Sequence, residues 1–304
     1  MSRFSTEGFA SLALFLAASS WGLYWWPLRE MEQIGITGAW SVAYFNFFPA
    51  AMLVPYIVWN HRVQLRHRRK VLIIAALTGV GLGFYATSLV LSSVIRTTML
   101  FYLTPVWATV IGVVWLNERL TRGRIVAVGC GLLGLWLLLS NAGASSTPLN
   151  LGDLFALGSG ALWGMGAACM KRWPEAPIVA ASAAQFAIAV LVCLGMSFWL
   201  IDEPLPEAGM LVQAFPLAFI ASTFVLLPSI FVIFWASRLV FPGRGGILMM
   251  SEVMVAIASA SLLLPEETLS PLQWAGGAII LLACLIEVRM QAAAPGAAEA
   301  SPHP

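Results

Sequence analysis

The sequence predicts an all-α integral membrane protein with ten transmembrane helices, arranged as two inverted five-helix repeats. Three observations predict it. The 304 residues are 60% hydrophobic and 10% charged, with a mean hydropathy of +0.87. A water-soluble chain carries about a quarter charged residues, so this one cannot cover a water-facing surface. Second, the step Trp21-Gly22 returns as Trp163-Gly164, about half the chain later. Third, 14 of the 16 Lys and Arg residues fall on one side of the membrane when ten helices are threaded.

A spanning helix needs about 20 mainly apolar residues, and the chain supplies ten such segments in order. Segment 1 covers 9–28. Its Ala17-Ala18-Ser19 resembles a cleavage site, but the apolar run continues through Trp25 and Trp26. Segment 2 covers 38–59 and is followed by a basic loop with His61, Arg62, Arg66, His67, Arg68, Arg69 and Lys70. Segments 3, 4 and 5 cover 71–92, 97–116 and 125–139, with Pro105 inside segment 4. Residues 141–150 are rich in Gly, Ser, Pro and Asn and read as a loop between halves. Segments 6 and 7 cover 151–170 and 178–201, and an acidic, proline-containing loop follows at 202–213. Segments 8, 9 and 10 cover 214–239, 245–264 and 272–287. The Ala/Pro-rich tail from 292 reads as disordered. The division is therefore 1–145, 146–290 and a tail, 291–304.

Lys and Arg concentrate on the cytoplasmic side. With the N-terminus inside, that side holds Arg3, the cluster from Arg62 to Lys70, Arg119, Arg122, Arg124, Lys171, Arg172, Arg238, Arg244 and Arg289, leaving only Arg29 and Arg96 outside. A multi-pass membrane protein with both termini cytoplasmic is the expectation.

An offset of 148 pairs Arg96 with Arg244, Thr104 with Glu252, Pro105 with Val253 and Glu118 with Glu266. The exit Trp115-Leu116-Asn117-Glu118 matches Leu263-Leu264-Pro265-Glu266. Five helices per half is an odd number, so the second copy enters upside down. Inverted repeats with a midplane substrate site characterise many secondary transporters. Trp21 and Trp163 each lie about 12 residues into their segments from opposite sides, about 18 Å at 1.5 Å per residue. Trp favours membrane interfaces, so a mid-depth pair is read as pathway lining, against the plainer reading of packing or lipid contact. Trp25, Trp26, Trp40, Trp59 and Trp199 lie near span ends and read as belt residues.

Other motifs resolve into packing. Gly129-Cys130-Gly131-Leu132-Leu133-Gly134 fits GxGxxG, but a dinucleotide fold needs it after a strand, and here it sits inside an apolar helix. Gly79 to Gly83 and Gly160 to Gly164 have the spacing that lets membrane helices approach closely. Cys130, Cys169, Cys193 and Cys284 read as small buried hydrophobes. No His lies in a span, which argues against a metal site or an intramembrane His relay. No cofactor is expected, nor ATP coupling. The absence of GxSxG, HExxH and intramembrane His sets enzyme classes aside.

Glu252 is the only acid well inside a span, and such a residue is a functional hypothesis by default. Three roles stay open: a proton-coupling carboxylate, a pole for a substrate ammonium, or a structural acid at a helix end. Arg96 and Arg244 read as snorkelling to headgroups. Tyr44 and Asn46, Tyr85, and Phe101 with Tyr102 fall in the outer half, at a depth where hydroxyls could line an outward-open cavity. In the second half Met165, Gln185, Ser222, Ser229 and Phe231 are candidate wall residues. The substrate set is thus Trp21, Tyr44, Asn46, Tyr85, Tyr102, Trp163, Met165 and Gln185, with Glu252 as a coupling or structural carboxylate.

Leu103-Thr104-Pro105-Val106 through Glu118-Arg119-Leu120-Thr121, and Arg244-Gly245-Gly246 through Glu252-Val253 and Leu264-Pro265-Glu266, resemble the drug/metabolite transporter (DMT/EamA) superfamily over nearly the whole chain. Val253 departs from the proline usual there. The wording Tyr102-Leu103-Thr104-Pro105-Val106-Trp107 resembles bacterial aromatic amino acid exporters of the YddG type. The resemblance implies a secondary transporter that exports aromatic and other hydrophobic amino acids across the bacterial inner membrane, with the two halves alternating access around a central cavity. Other small metabolites or drugs, nucleosides among them, are the alternative cargo, and a non-transport helical protein is the other class. A phosphate substrate would need Lys or Arg at mid-depth, where none lies. The expected partners are a small-molecule substrate and the lipid bilayer, with no nucleic acid, and the expected state is a monomer.

Overall fold

The computed structural model describes residues 6–92, 94–139, 149–201, 204–263 and 270–292, and these fold into helices joined by short turns. In chain order they are α1 (Thr6–Trp21), α2 (Trp25–Ile34), α3 (Gly38–Trp59), α4 (His61–Gln64), α5 (Arg68–Leu91), α6 (Val94–Phe101), α7 (Thr104–Leu116) and α8 (Arg122–Leu139). Then come α9 (Leu151–Arg172), α10 (Ile178–Met196), α11 (Ala208–Ala221), α12 (Leu227–Leu239), α13 (Pro242–Met249), α14 (Ser251–Leu263) and α15 (Pro271–Ala292). Seven runs are long and apolar enough to cross a membrane among the described residues: Thr6–Ile34, Gly38–Trp59, Arg68–Leu91, Thr97–Leu116, Ile178–Ile201, Ala208–Leu239 and Pro242–Leu263. The protein is therefore a multi-pass membrane protein. Helices α8, α9 and α15 stand where segments 5, 6 and 10 are expected, with 18, 22 and 22 residues, and their crossing is proposed below. The exit Leu264-Pro265-Glu266, most of the loop between halves and the tail from 293 lie outside the described residues.

Three expected segments are interrupted where a long helix would be simplest. Segment 1 breaks at 22–24, segment 4 at Tyr102-Leu103 and segment 9 at Met250. Proline explains two of them. A proline ring collides with the carbonyl four residues earlier. Pro27 strikes at Leu23, and Pro105 strikes at Phe101, the last residue of α6. In segment 8, Pro228 acts on Phe224, inside a π-helical stretch, Ser222–Leu226. Segment 9 has Val253 where segment 4 has Pro105. Its N–H is intact, and the interruption shrinks to Met250, which keeps α-helical dihedrals. Tyr102 and Met250 are 148 residues apart, so the paired helices break at the same repeat position. Pro49 and Pro55 stand inside an uninterrupted α3.

The helices interleave. Segments joined by the repeat pack on each other: α3 on α10, α7 on α13, α8 on α15. The others follow the same exchange, α1 on α12 mirroring α5 on α9, and α1 on α14 mirroring α6 and α7 on α9. Small residues set these contacts, because lipid supplies no hydrophobic drive and backbones must come close. A Cβ on Gly83 would lie 2.4 Å from Val192 Cγ1, on Gly79 2.7 Å from the Gln185 carbonyl oxygen, and on Gly246 2.9 Å from Pro105 Cα. Within the GxGxxG stretch, Gly134 meets the Gly276 carbonyl at 2.7 Å, which is helix packing. At the end of the molecule rich in Lys and Arg, Lys70 pairs with Glu175 and Arg124 with Glu118, while Lys171 donates to the Leu239 carbonyl and sits 4.5 Å over the Phe241 ring.

Candidate functional site

Trp21 ends α1 at its break, and Trp163 stands mid-way along α9. Their ring centroids are 5.7 Å apart with planes tilted by 49°. Two positions related only by the repeat thus touch at the centre of the molecule. Gly164, beside Trp163, lets α9 press on α7, where an added Cβ would meet Ala108 N at 3.3 Å. Gly22 does more. An added Cβ would lie 2.4 Å from the Glu252 carbonyl oxygen and 2.8 Å from Val255 Cβ. The missing side chain is what lets the break in segment 1 rest on the start of α14. Ser251 Oγ donates to the Phe15 carbonyl at 3.1 Å, Trp25 Nε1 donates to Ser259 Oγ at 2.9 Å, and Ser20 Oγ meets Ser229 Oγ at 2.9 Å. These bonds hold segment 1 to segments 8 and 9.

Glu252 lies in the first turn of α14 and is half-buried. Tyr102, buried at the break of segment 4, directs its hydroxyl toward that carboxyl without closing a well-formed hydrogen bond. Rings continue from there: Phe101 is 5.0 Å from Tyr102, and Tyr85 is 4.7 Å from Phe101. Tyr85 in turn directs its hydroxyl toward the Thr98 side chain. On the other side of Trp21, Tyr24 is 6.5 Å away, stacks edge-on against Phe45 at 4.8 Å, and directs its hydroxyl toward Asn46 without closing a well-formed hydrogen bond.

Next to Trp163 a narrow crevice with about 10 Å³ of free space, room for a single water, lies toward the basic end. Thr104, Ala108, Trp163, Ser237, Phe241 and Met249 contribute to its wall, with glycine backbone from segments 6 and 9. No charged residue lines it. The expected cavity faced the opposite end, toward Tyr44 and Tyr85. The cleft instead forms where the proline-broken helix α7 and the start of α13 leave room against α9.

The sequence-derived set is divided by the fold. Trp21, Trp163, Tyr85, Tyr102, Asn46 and Glu252 belong to one connected centre. Tyr44 donates to the Leu211 carbonyl at 2.7 Å and joins a separate aromatic patch with Phe48, Phe215 and Phe219. Met165 is two residues beyond Trp163, about 200° around the helix, and does not line the cleft. Gln185 is 0% exposed on α10, and both amide atoms lack a partner. Ser222 is buried, Ser229 is tied to Ser20, and Phe231 packs against the core. Trp40 is no belt residue: it is buried, its ring 5.0 Å from Phe198. Trp59 and Trp199, at 87% and 90% exposed, do face outward. Tyr24 and Met249 were missed. Tyr24 is hidden by the break, and Met249 shows only as the residue preceding the interruption. No three His, Cys, Asp or Glu residues group as a metal site among the described residues.

Two stretches of the chain, 8–140 and 150–289, match the EamA-like transporter family. The chain belongs to the EamA-like transporter family. The double match falls on the two halves of the chain, and it makes the protein a transporter of the drug/metabolite transporter superfamily. A crystal structure described only as that of a protein matches this EamA-type transporter with a TM-score of 0.72 and 16% identity, over 94% of this chain and 99% of the other. That likeness shows the fold alone. No curated protein matches.

Proposed function

We propose that this EamA-type transporter exports amino acids, chiefly aromatic and hydrophobic ones, across the bacterial inner membrane. The observation that carries the reading is the Trp21–Trp163 contact beside an uncharged cleft, continued by Tyr102, Phe101 and Tyr85. Indole and phenol faces stack on a planar apolar side chain, and each such contact is worth about 0.5–1.5 kcal/mol beyond area burial. The half-buried carboxyl of Glu252 and the Asn46 amide supply polarity for a zwitterion.

In this reading all ten segments cross, the basic end is cytoplasmic, and the protein works as a monomer. Substrate enters next to Trp163 from that side, by widening the crevice. The Trp pair closes the path above it, and alternating access separates the rings. The interleaved packing makes the sequence halves poor rigid bodies, since either would have to break most of its contacts to rock. Movement at the helix breaks is the alternative, because the helices are already interrupted there. An uncharged cleft gives no anchor for phosphate, whereas nucleosides and other uncharged amphipathic metabolites share the stacking chemistry and form the second reading.

The test is counterflow. Full-length protein in liposomes loaded with unlabelled tryptophan should take up labelled tryptophan and phenylalanine faster than threonine. Uptake of a nucleoside but of no amino acid would favour the second reading, and no uptake of either would remove both.

A further inference from the structure

Two cations at the basic end are held by neutral partners. Lys171, in the last turn of α9, donates to the Leu239 carbonyl and lies 4.5 Å over the Phe241 ring. Arg238, in the last turn of α12, donates to the Ala176 carbonyl. Together they tie the end of α9 and the turn after it to the end of α12. No carboxylate stands within ion-pair distance of Lys171 among the described residues. Glu7 and Glu118 act on it from farther off, and Glu118 is paired with Arg124.

Of the two, Lys171 is the one at the crevice. Ala167 lines the crevice and lies one turn before Lys171 on the same stripe of α9. Val240 and Phe241 line it from the other side, in the extended link between α12 and α13. The Lys171 stem therefore crosses the basic-end mouth, just outside the wall, from α9 to that link. Trp163 stands eight residues earlier on the same helix, about 12 Å deeper. A molecule caught at the mouth by one end meets the indole pair with the other as it advances. An ammonium prefers a carboxylate to a carbonyl or a ring, because two full opposite charges attract more strongly than a charge and a dipole.

We propose that Lys171 recognises the substrate carboxylate at the basic-end mouth. In taking it, the ammonium leaves Leu239 and Phe241, the link between α12 and α13 is freed, and the crevice widens. Lys171 thus selects amino acids over amines and nucleosides that carry a similar planar ring. The proposal rests on the amino acid reading above, because it needs a substrate carboxylate.

The experiment is titration calorimetry on the full-length protein in detergent, with L-tryptophan and with tryptamine, which keeps the indole and the ammonium and lacks the carboxylate. The parent should bind tryptophan about tenfold or more tighter than tryptamine, the worth of one hydrogen bond between charged groups. K171Q should bring tryptophan down to the affinity of tryptamine and leave tryptamine unchanged. K171R should keep the preference, and so should R238Q, which removes the neighbouring cation. If K171Q does not fold, the parent and K171R decide: equal affinity for the two ligands in either one overturns the proposal. A preference that survives K171Q, or that is lost equally in R238Q, overturns it too, and each of these outcomes leaves the amino acid reading intact. No heat of binding for tryptophan or phenylalanine in the parent sinks that reading and this one with it.

Discussion

At the scale of residues, Gly22 and Gln185 make opposite claims on the same core. Gly22 is a glycine because a Cβ would sit 2.4 Å from a backbone oxygen. Overpacking of this kind costs about 1–3 kcal/mol. Gly22→Ala should therefore lower the thermal midpoint of the purified protein, and an unchanged midpoint would show that segment 1 does not rest on α14. Gln185 is buried with an amide that nothing satisfies, and an unmet buried polar group costs about 1–3 kcal/mol. Gln185→Leu should hold or raise the midpoint and leave counterflow intact. A fall in transport at unchanged stability would return Gln185 to the substrate path. The Trp-Gly echo was legible in the sequence because the same step recurs at matched depth in both halves. What stayed hidden was direction. Tyr44, Met165 and Tyr24 have the same chemistry as Tyr102 and Trp163, and only helix phase and the position of the breaks decide which face the centre.

Among the elements, the breaks carry the meaning. The sequence shows Pro27 and Pro105, and a proline interrupts the ladder four residues upstream, so two of the three breaks could have been placed beforehand. The third could not, because Val253 carries no such signal and only the repeat points to Met250. The uninterrupted α3, with two prolines, shows that the rule needs its tertiary setting. At the basic end Lys70 of α5 pairs with Glu175, across from the first half to the second. The Lys70 hydrogen bond is the main cause that holds the Glu175 carboxyl below the ordinary carboxylate range. A lowered folded value means that this strap is in place above the ordinary carboxylate range and is lost as pH falls through the lowered one. The pair is exposed and screened by salt, so Lys70→Ala should leave stability nearly unchanged. Its expected effect is on rate: faster counterflow at low salt, vanishing at high salt. Equal rates in both salts would make the pair incidental.

Over the whole molecule, the interleaving of repeats is the feature that composition and hydropathy could not show. They predict ten apolar segments in two sets, and the two family matches fall on those sets. Neither says that α3 packs on α10, α7 on α13 and α8 on α15. Halves expressed separately should therefore be degraded or aggregate, while coexpression of 1–145 with 146–304 should restore a folded protein in detergent. A first half that is stable and monodisperse alone would contradict the interleaved packing. The account stands on the Trp21–Trp163 contact as part of the substrate path. Its most direct test is the concentration dependence of tryptophan counterflow in Trp163→Ala beside the parent. Loss of one stacking face, about 0.5–1.5 kcal/mol, predicts a KM raised about twofold to tenfold, together with a lowered thermal midpoint because the indole is buried in the core. An unaltered KM and rate would take Trp163 out of the path and leave the central contact as packing.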